Sequence, residues 1–523
     1  MKKFFFLFFA AVMACCAACS SSKTDDGGES QQPTVEGRFT LHSSLQNGMV
    51  IQQNRPFRIW GRSLAGVKVT AAPGWTDQTY STIVPEGGYW TLDVPVPAAP
   101  ADNAPQSITV STTLQTETLS DLLIGEVWLL GGQSNMAFPM SQTDNAQAEI
   151  AAADHPMIRY FATYPQGAKS EQYDWRNRTD PFYKWYKTSP ETVAWQSAVG
   201  YYFGLMLHET LGVPIGLINT SNGGATAQAY TPLSALESNM TLKATYVDPF
   251  VNHQNILVRP AELYNSMVHP LHHFSIRGVC WYQGEGNWDT YTTYPELMRT
   301  LIRSWRRNFG QADLPFYYVQ IAAWGFGGPT GEQEFFYSNG AYKAHSGYFY
   351  QREAQAKTRD EVEHTGMAVT MDVGNPEDIH PIWKRPVGER LARLALHDTY
   401  GMADVACLGP RYRSHRVENG VVKVSFDHAE GLRTNDSQAP KYFYLAPTAG
   451  STHEFRAAAA EIRGDEVWLT CPEVVSAETA ASDVAIRYAF LLYPVTNLEN
   501  GEGLPAEPFR TDDWGPAAYS YVY

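Results

Sequence analysis

The sequence predicts an α/β domain with a β-domain on each side of it. From about residue 121 to residue 404, short apolar runs without polar alternation are followed by helical periods. Such runs are typical of parallel strands that are covered on both faces. Before and after this stretch, apolar and polar residues alternate at period two between turn residues, which indicates sheets with one solvated face. The length of 523 residues exceeds what one hydrophobic core usually serves, so several domains are expected.

The first 19 residues have the parts of a secretory signal: a Met-Lys-Lys start, an apolar run over 4–18 and small residues before Cys19. This run is too short for a comfortable membrane span. The Ala-Ala-Cys sequence ending at Cys19 resembles a bacterial lipobox, which implies lipidation there, with Cys15 as an alternative acceptor and a plain cleaved signal as the other reading. Residues 20–37 are polar, as in a flexible tether. We therefore expect an exported lipoprotein, periplasmic or at the cell surface and associated with the outer membrane or the cell surface through its lipid.

Residues 38–120 are predicted to form an N-terminal β-sandwich. Strand-like segments recur there between turn residues, at the spacing usual for sandwiches. These segments are 49–53, 57–61, 67–71, 89–94 and 107–111. The Pro- and Ala-rich stretch 96–106 lies between two of them and is predicted to be a long loop rather than a linker.

Residues 121–404 are predicted to form the α/β domain. Its candidate strands are the apolar runs 127–130, 215–219, 278–282, 316–321 and 368–372. A helix is predicted ahead of the fourth run, where apolar residues recur at four-residue spacing before a glycine cap. These positions are Leu297, Leu301, Trp305, Phe309 and Gly310.

Residues 405–523 return to period two and are predicted to form a closing β-domain. Outside the signal segment, the cysteines are Cys280, Cys407 and Cys471. At most one pair can form among them, so disulfides do not define this fold.

The composition excludes a polyanionic partner. The net charge is −15, whereas nucleic-acid binding depends on basic surface that neutralises phosphates. Charged residues are 18% of the chain and aromatic residues 13%, with 14 Trp and 30 Tyr. This balance favours sugar or apolar ligands.

Ser134 stands at the first of three predicted strand ends that carry polar residues. In an open parallel sheet, ligand-handling residues collect at the carboxyl ends of the strands. Ser134 follows two glycines in Gly-Gly-Gln-Ser-Asn-Met, on a tight bend that would expose its hydroxyl near a helix N-terminus. Such a serine is either a nucleophile or a helix cap.

A serine hydroxyl near neutral pH is a weak nucleophile and needs a base. His380 lies just past the last apolar run, on a loop rich in Pro and Gly. Asp378 and Glu377 precede it, and either could hold the ring in the productive tautomer; the alternative is a solvent-facing acidic loop. The rival pairs 272–273 and 427–428 fall before a strand and in a β-domain turn, so we expect them to be structural.

An acyl-transfer serine also needs donors for the oxyanion, each worth about 3 kcal/mol of barrier. The backbone N–H of Gly223 or Gly224 could supply one, and the side-chain amide of Gln283 or Asn287 another. An ordinary turn is the alternative at both places. In the second, however, Glu285 stands between the two amides, which is an unusual set for one strand end.

Three motifs resemble those of the sialate O-acetylesterase family, which are SGNH-type serine carbohydrate esterases. They are Gly-Gln-Ser-Asn-Met at 132–136, Trp-Tyr-Gln-Gly-Glu-Gly-Asn at 281–287 and Asp-Ile-His-Pro at 378–381. The resemblance extends from about residue 41 to residue 512. It implies an SGNH-hydrolase-like three-layer α/β/α core flanked by N- and C-terminal β-domains.

The resemblance also implies roles for individual residues. Ser134 would be the nucleophile and His380 the base, with Asp378 favoured as the orienting acid over Glu377 or over a dyad without an essential carboxylate. The oxyanion contacts would be the N–H of Ser134, Gly223 and Gln283. We further expect Asn135, Glu285 and Asn287 to bind substrate.

The expected activity is removal of O-acetyl groups from carbohydrates by a Ser-His-Asp esterase. Esters of sialic acid are the first candidate substrate, with acetylated xylan or other plant glycans as the alternative. The sequence at 222–224 is Asn-Gly-Gly, where the family often has Trp-Gly-Gly, so an aromatic platform beside the acyl pocket is missing. A non-catalytic glycan-binding lipoprotein is the alternative of another class. No cofactor, metal or obligate protein partner is predicted.

Overall fold

The computed structural model describes residues 39–164, 166–175, 183–325, 347–450, 453–516 and 519–522. The predicted signal segment, its cysteines Cys15 and Cys19, and the tether lie outside these residues. Within the described ranges, none of the helices combines the length and the apolar character needed to cross a bilayer.

The N-terminal part contains two small antiparallel sheets. Strands β1, β3 and β6 form one sheet, and β4 pairs with β5 and β7 in the other. The strands are β1 (Thr40–Leu41), β2 (Val50–Gln52), β3 (Phe57–Arg62), β4 (Lys68–Pro73), β5 (Tyr80–Ile83), β6 (Tyr89–Val94) and β7 (Gln106–Ser111). The stretch 96–106 is mostly the connection between β6 and β7.

One long strand, β8 (Thr116–Gly132), belongs to both the N-terminal part and the core. Its first residues pair antiparallel with β7, and Leu123–Gly125 pair in parallel with β2. Its last residues pair in parallel with two strands of the core. The domain boundary that we predict at 120/121 therefore falls inside a continuous strand.

The core is a twisted sheet with β8 at its centre. Its spatial order is β10-β9-β11-β8-β12-β13-β14, with all neighbours parallel except the edge strand β10. The remaining strands are β9 (His155–Ala162), β10 (Tyr186–Thr188), β11 (Ile215–Asn219), β12 (Gly278–Tyr282), β13 (Phe316–Val319) and β14 (Thr365–Ala368).

Helices cover both faces of this sheet. The α-helices are α1 (Ser134–Ala137), α2 (Ala146–Ala152), α3 (Ala198–Leu211), α4 (Leu233–Glu237), α5 (Met240–Leu242), α6 (Tyr294–Asn308), α7 (Gly347–Glu361) and α8 (Arg385–Leu394). Successive side chains of a strand point to opposite faces. Accordingly Trp128 and Leu130 pack with α3 and α8, whereas Val127 and Leu129 belong to the core that includes α6 and α7. The predicted three-layer α/β/α core with flanking β-sheets is therefore confirmed.

Short helical turns connect these elements. The 3₁₀ turns are Met140–Gln142, Val193–Trp195, Ala227–Tyr230, His269–Leu271, Glu285–Thr290 and Ala481–Asp483. The π-helical turns are Lys243–Val247, Tyr264–Val268 and Ala395–Thr399.

The C-terminal part is built of strands alone apart from one 3₁₀ turn among its described residues. Its sheets have the orders β15-β16-β21-β20, β17-β23 and β24-β22-β18-β19-β25. The strands are β15 (Arg411–Glu418), β16 (Val421–Asp427), β17 (Arg433–Thr434), β18 (Phe443–Pro447), β19 (His453–Ala457), β20 (Ala459–Arg463), β21 (Glu466–Thr470), β22 (Val484–Tyr488), β23 (Leu498–Glu499), β24 (Phe509–Arg510) and β25 (Tyr519–Val522).

A buried arginine of α7 fastens the C-terminal part to the core. The guanidinium of Arg352 donates to the carbonyl oxygens of Leu491 and Leu492, at 2.7 and 2.9 Å. Within the described residues the three cysteines carry free thiols. Packing and hydrogen bonds, rather than disulfides, therefore hold these parts together.

Candidate active site

The turn after β8 brings the backbone very close to the end of β12. Gly132 has a φ of +123°, and a Cβ atom there would lie 2.1 Å from the carbonyl oxygen of Tyr282. The amide of Gln133 donates to that same oxygen at 2.9 Å. Only glycine fits this position, because other residues would meet both backbone strain and a backbone clash. The turn delivers Ser134, half-buried, to the first position of α1.

His380 lies directly over the serine. Its Nε2 is 2.8 Å from the Ser134 hydroxyl, and its Nδ1 is 3.1 Å from Oδ1 of Asp378. The same carboxylate oxygen accepts the backbone N–H of His380 at 2.8 Å. A proton held on Nδ1 by this carboxylate leaves Nε2 free to accept from the hydroxyl.

The loop before His380 selects one of the two candidate carboxylates. Oδ1 of Asn375 accepts the backbone N–H groups of Glu377 and Asp378, at 2.9 and 3.3 Å. Both carboxylates are exposed, but this turn carries Asp378 to the imidazole, with Oδ1 at 3.1 Å from Nδ1. The carboxylate beside the ring is thus the one favoured by the resemblance.

The surroundings of His380 favour a neutral ring. Burial lowers the pKa of His380 from its ordinary value, and the charge of Lys384 lowers it further, while Asp378 opposes both effects. The ring of Phe138 stacks on the imidazole at 6.3 Å. The histidine is therefore held in the form that can accept a proton.

Gly223 lies where the sequence places it, beside the serine. A Cβ atom on Gly223 would lie 3.7 Å from Cβ of Ser134, and the residue is exposed. The loop is fastened to the turn after β8, because the amide of Asn222 donates to the carbonyl oxygen of Gly132 at 3.0 Å. As the first residue of α1, Ser134 has an N–H that no helical carbonyl can satisfy. The two residues expected to supply backbone donors, Ser134 and Gly223, thus lie beside each other.

Comparison with known proteins identifies similar carbohydrate esterases. Residues 124–394 match the family model "Carbohydrate esterase, sialic acid-specific acetylesterase". The sialate O-acetylesterase of Pongo abelii is 30% identical over 71% of this chain and 73% of its own length. That of Homo sapiens is 29% identical over 92% and 95%. A novel carbohydrate acetylesterase from Xanthomonas citri, known from its crystal structure, is 32% identical with a TM-score of 0.77, over 91% of this chain and all of that one.

The chain belongs to this carbohydrate esterase family. Its predicted membership and its class as a carboxylic ester hydrolase are confirmed. The fold, with its α/β/α core and flanking β-sheets, is shared with the Xanthomonas citri structure over 91% of this chain.

In this carbohydrate esterase, Gln283 does not have the position expected of an oxyanion donor. Its side chain is fully buried, and its Nε2 donates to Oδ1 of Asn287 at 2.8 Å and to the carbonyl oxygen of Ala225 at 3.4 Å. Its Oε1 accepts from the hydroxyl of Tyr294 at 3.1 Å. Both amide hydrogens are thus directed into the protein. Gln283 supports the loop that carries Gly223 rather than facing the acyl group.

The prediction that three polar residues of the motifs bind substrate is also wrong. Asn135, Glu285 and Asn287 are all buried. Asn287 donates from Nδ2 to Oε1 of Gln228 at 3.0 Å and accepts from the backbone N–H of Ala227. These side chains lie beneath the site and hold its loops, because each of them makes hydrogen bonds to other protein groups.

Two residues of the site escape detection by sequence reasoning. Lys384 is 1% exposed, and its ammonium donates to Oδ1 of Asn135 at 2.6 Å. Phe138 packs against both this ammonium and His380, with its ring 4.6 Å from Nζ and 6.3 Å from the imidazole. A lone lysine after Asp-Ile-His-Pro gives no signal of burial, since lysines are almost never fully buried.

The rival histidines lie elsewhere. The rings of His272 and His273 are in contact, tilted, with centroids 4.1 Å apart, and His273 packs against Trp60 of the N-terminal part. Burial lowers the pKa of His273 to about 3, so its ring stays neutral. His428 is exposed in a turn of the C-terminal part.

Within the described ranges, one group of side chains has the arrangement of a metal site. Ligand atoms of His397, Asp398 and Cys407 lie within 4.8 Å of one another. The hydroxyl of Tyr317, near the start of β13, is 2.7 Å from that of Thr399 in the same turn. This group is therefore at the amino end of the sheet, opposite the candidate active site.

Proposed function

We propose that this esterase removes O-acetyl groups from carbohydrates through Ser134, His380 and Asp378, and that esters of sialic acid are its preferred substrates. The 2.8 Å contact between the serine hydroxyl and Nε2 of His380 carries this proposal. Support for the substrate comes from the description of the family and from the names of the mammalian relatives.

The proposed reaction has two steps. The Ser134 oxygen attacks the acetyl carbonyl while His380 takes the hydroxyl proton, and the resulting oxyanion faces the N–H groups of Ser134 and Gly223. His380 then returns the proton to the sugar oxygen, which leaves as an alcohol. A water molecule then attacks the acetyl-enzyme as the same ring takes its proton, and the ring returns that proton to the Ser134 oxygen as acetate leaves. Asp378 stabilises the imidazolium in each step.

Polar residues around the acyl pocket restrict the acyl groups that it can bind. Asn222 stands where an aromatic ring would otherwise flank the acyl pocket. The backbone N–H of Gly286 donates to Oε1 of Gln133 at 3.0 Å, which joins the first and second motifs. A long apolar acyl tunnel does not fit this environment. Acetylated xylan or another plant glycan is the second candidate, since the similar Xanthomonas citri protein is described as a carbohydrate acetylesterase without a named sugar.

Acetate release from acetylated sialosides and from acetylated xylan, measured in parallel, tests the substrate. We expect kcat/KM to be at least about tenfold higher for the sialosides, a difference of about 1.4 kcal/mol in transition-state binding. A higher value for xylan would transfer the assignment to plant glycans. Failure to release acetate from either would favour the non-catalytic glycan-binding lipoprotein.

Replacement of the two loop carboxylates separates their roles. We expect Asp378→Ala to lower kcat by about 10- to 1,000-fold, because the imidazolium loses its partner. Glu377→Ala is the matched control, one position away on the same exposed loop, and should change kcat by less than about twofold. Equal losses in the two variants would remove Asp378 from the proposal, and no loss in either would indicate a serine–histidine dyad.

Export and lipid anchoring at Cys19 are part of the proposal. A lipid-anchored esterase would act on glycans in the periplasm or at the cell surface, with residues 20–37 as its tether. Metabolic labelling with radioactive palmitate should mark the parent chain and not Cys19→Ala. Labelling that survives in Cys19→Ala but is lost in Cys15→Ala would move the acceptor to Cys15, and labelling of neither parent nor variants would leave a cleaved signal without a lipid.

A further inference from the structure

A lysine is buried beneath the serine and the histidine. Lys384 is 1% exposed, and it immediately precedes α8. Its ammonium donates to Oδ1 of Asn135 at 2.6 Å and lies 4.6 Å from the ring of Phe138 and 5.6 Å from that of Tyr282. A buried ammonium is costly unless it is paired and hydrogen-bonded, so this position calls for an explanation beyond stability.

Asn135 joins the lysine to two other loops. Its Nδ2 donates to Oε1 of Glu285 at 2.6 Å and to the carbonyl oxygen of Ile379 at 3.0 Å. Asn135 follows the serine in the chain, and Ile379 precedes the histidine. The second bond therefore ties the serine turn directly to the histidine loop, one residue from each reacting side chain.

The amide of Asn135 has no freedom to turn while the lysine is in place. Its oxygen accepts from Lys384, so its nitrogen must face Glu285 and Ile379. Without the ammonium, the amide could rotate and lose the bond to Ile379. The lysine thus specifies the orientation on which the connection between the loops depends.

One ammonium and two carboxylates act on this chain of contacts. The ionisable groups that face Lys384 are Glu285 and Asp378, and those that face His380 are Asp378 and Lys384. Burial lowers the pKa of Lys384 to about 7 against the pull of the two carboxylates. Burial raises the pKa of Glu285, whose Oε2 has no hydrogen-bond partner among the described residues.

We propose that Lys384 is a positioning residue for proton transfer: through Asn135 it holds the serine turn against the histidine loop, and its charge disfavours premature protonation of His380. This inference rests on the proposed serine mechanism. It adds a buried lysine that touches neither the acetyl group nor the reacting atoms.

The charge has a defined effect on the pH profile. Below about pH 7 the ammonium carries its proton and opposes a second positive charge on His380, which lowers the pKa of the ring. Loss of the ammonium should therefore raise the pKa of His380. The acid limb of kcat/KM, where the base is lost to protonation, should then move to higher pH.

The test compares Lys384→Met, which keeps the length of the stem, with the parent enzyme. A fluorophosphonate reports on the serine independently of the natural sugar, because its phosphorus bonds to an activated serine oxygen as fluoride leaves and the hydroxyl proton passes to the base. We expect Lys384→Met to label about 10- to 100-fold more slowly. On acetylated substrate, kcat should fall by a similar factor with KM within about twofold, and the acid limb should move to higher pH.

The control is Lys357→Met, which removes an exposed lysine of α7 that lies 3.8 Å from Glu361 and should label at the parent rate. Lys384→Gln is the second variant, for use if Lys384→Met does not fold by circular dichroism. Its amide keeps a donor for Asn135 without the charge, so its labelling rate should lie between those of the parent and Lys384→Met, with the acid limb displaced.

The outcomes separate the two proposals. A parent enzyme that labels on Ser134, together with a folded Lys384 variant that labels at the parent rate and keeps the parent pH profile, would overturn the positioning role and leave the serine mechanism intact. A fall in rate without displacement of the acid limb would reject the electrostatic part. A parent enzyme that does not label at all would overturn both.

Discussion

Ser134→Ala should lower acetate release by at least about a hundredfold, since the variant lacks the atom that forms the acetyl-enzyme. The measurement is the initial rate of acetate release from an acetylated sugar, with enzyme concentration high enough to detect the residual rate. The Ser134 hydroxyl contacts His380 and is half-buried. Removing it should therefore change the free energy of unfolding by less than about 1 kcal/mol.

A second serine provides the control for this measurement. Ser189 is half-buried like Ser134, but its hydroxyl bonds to Glu191 in a turn beside β10. Ser189→Ala should release acetate at the parent rate. If Ser134→Ala also did so, the serine mechanism would be refuted, whatever the similarity of the chain to known esterases.

Gly132→Ala should cost both stability and activity. The new methyl group would lie 2.1 Å from the carbonyl oxygen of Tyr282, at a φ of +123°, so the turn must move. We expect unfolding to become easier by about 3 kcal/mol, from backbone strain together with the clash. A displacement of the serine by about 1 Å would lower kcat by about a hundredfold. Thermal unfolding and acetate release measure the two effects.

Gly212→Ala isolates the contribution of backbone strain. Gly212 follows α3 with a φ of +68°, and no atom lies within 4 Å of its added Cβ. This variant should lose about 1 kcal/mol and keep its activity. Equal losses for the two variants would mean that the close approach to Tyr282 is not what fixes the turn.

The core and its strand ends follow from the sequence because their determinants are local. Apolar runs without alternation predict strands buried on both faces, and the central strands β8, β11 and β12 begin or end within a few residues of the predicted positions. Two glycines before a serine predict a tight turn. His380 and Asp378 lie close together in the chain, so their contact needs little long-range information.

The roles of the buried polar residues beneath Ser134 and His380 cannot be predicted from the sequence. Residue types at 135, 283, 285 and 287 suit both substrate binding and internal hydrogen bonding, and only the direction of each side chain decides between them. That direction depends on partners more than 50 residues away, such as Ala225 for Gln283. Lys384 is a still harder case, because a pattern of residues cannot show that several distant loops will enclose an ammonium.

The boundary between the first two parts illustrates a different limit. The sequence changes near residue 121 from alternating to continuously apolar, and this change is real. It marks where β8 passes from a sheet with a solvated face to one that helices cover. A change in burial along one strand therefore looks like a boundary between two domains.

The continuity of β8 determines whether the N-terminal part can be removed or exchanged between related proteins. An accessory domain joined by a flexible linker can be exchanged, because its removal leaves every strand and helix of the remaining domain complete. Here the nucleophilic turn directly follows one uninterrupted strand, and the first half of that strand is hydrogen-bonded to the N-terminal strands β7 and β2. A truncated gene beginning near codon 121 would encode the α/β core without the first residues of its central strand. Rotation of the N-terminal part relative to the core is limited to the twisting that one continuous strand tolerates.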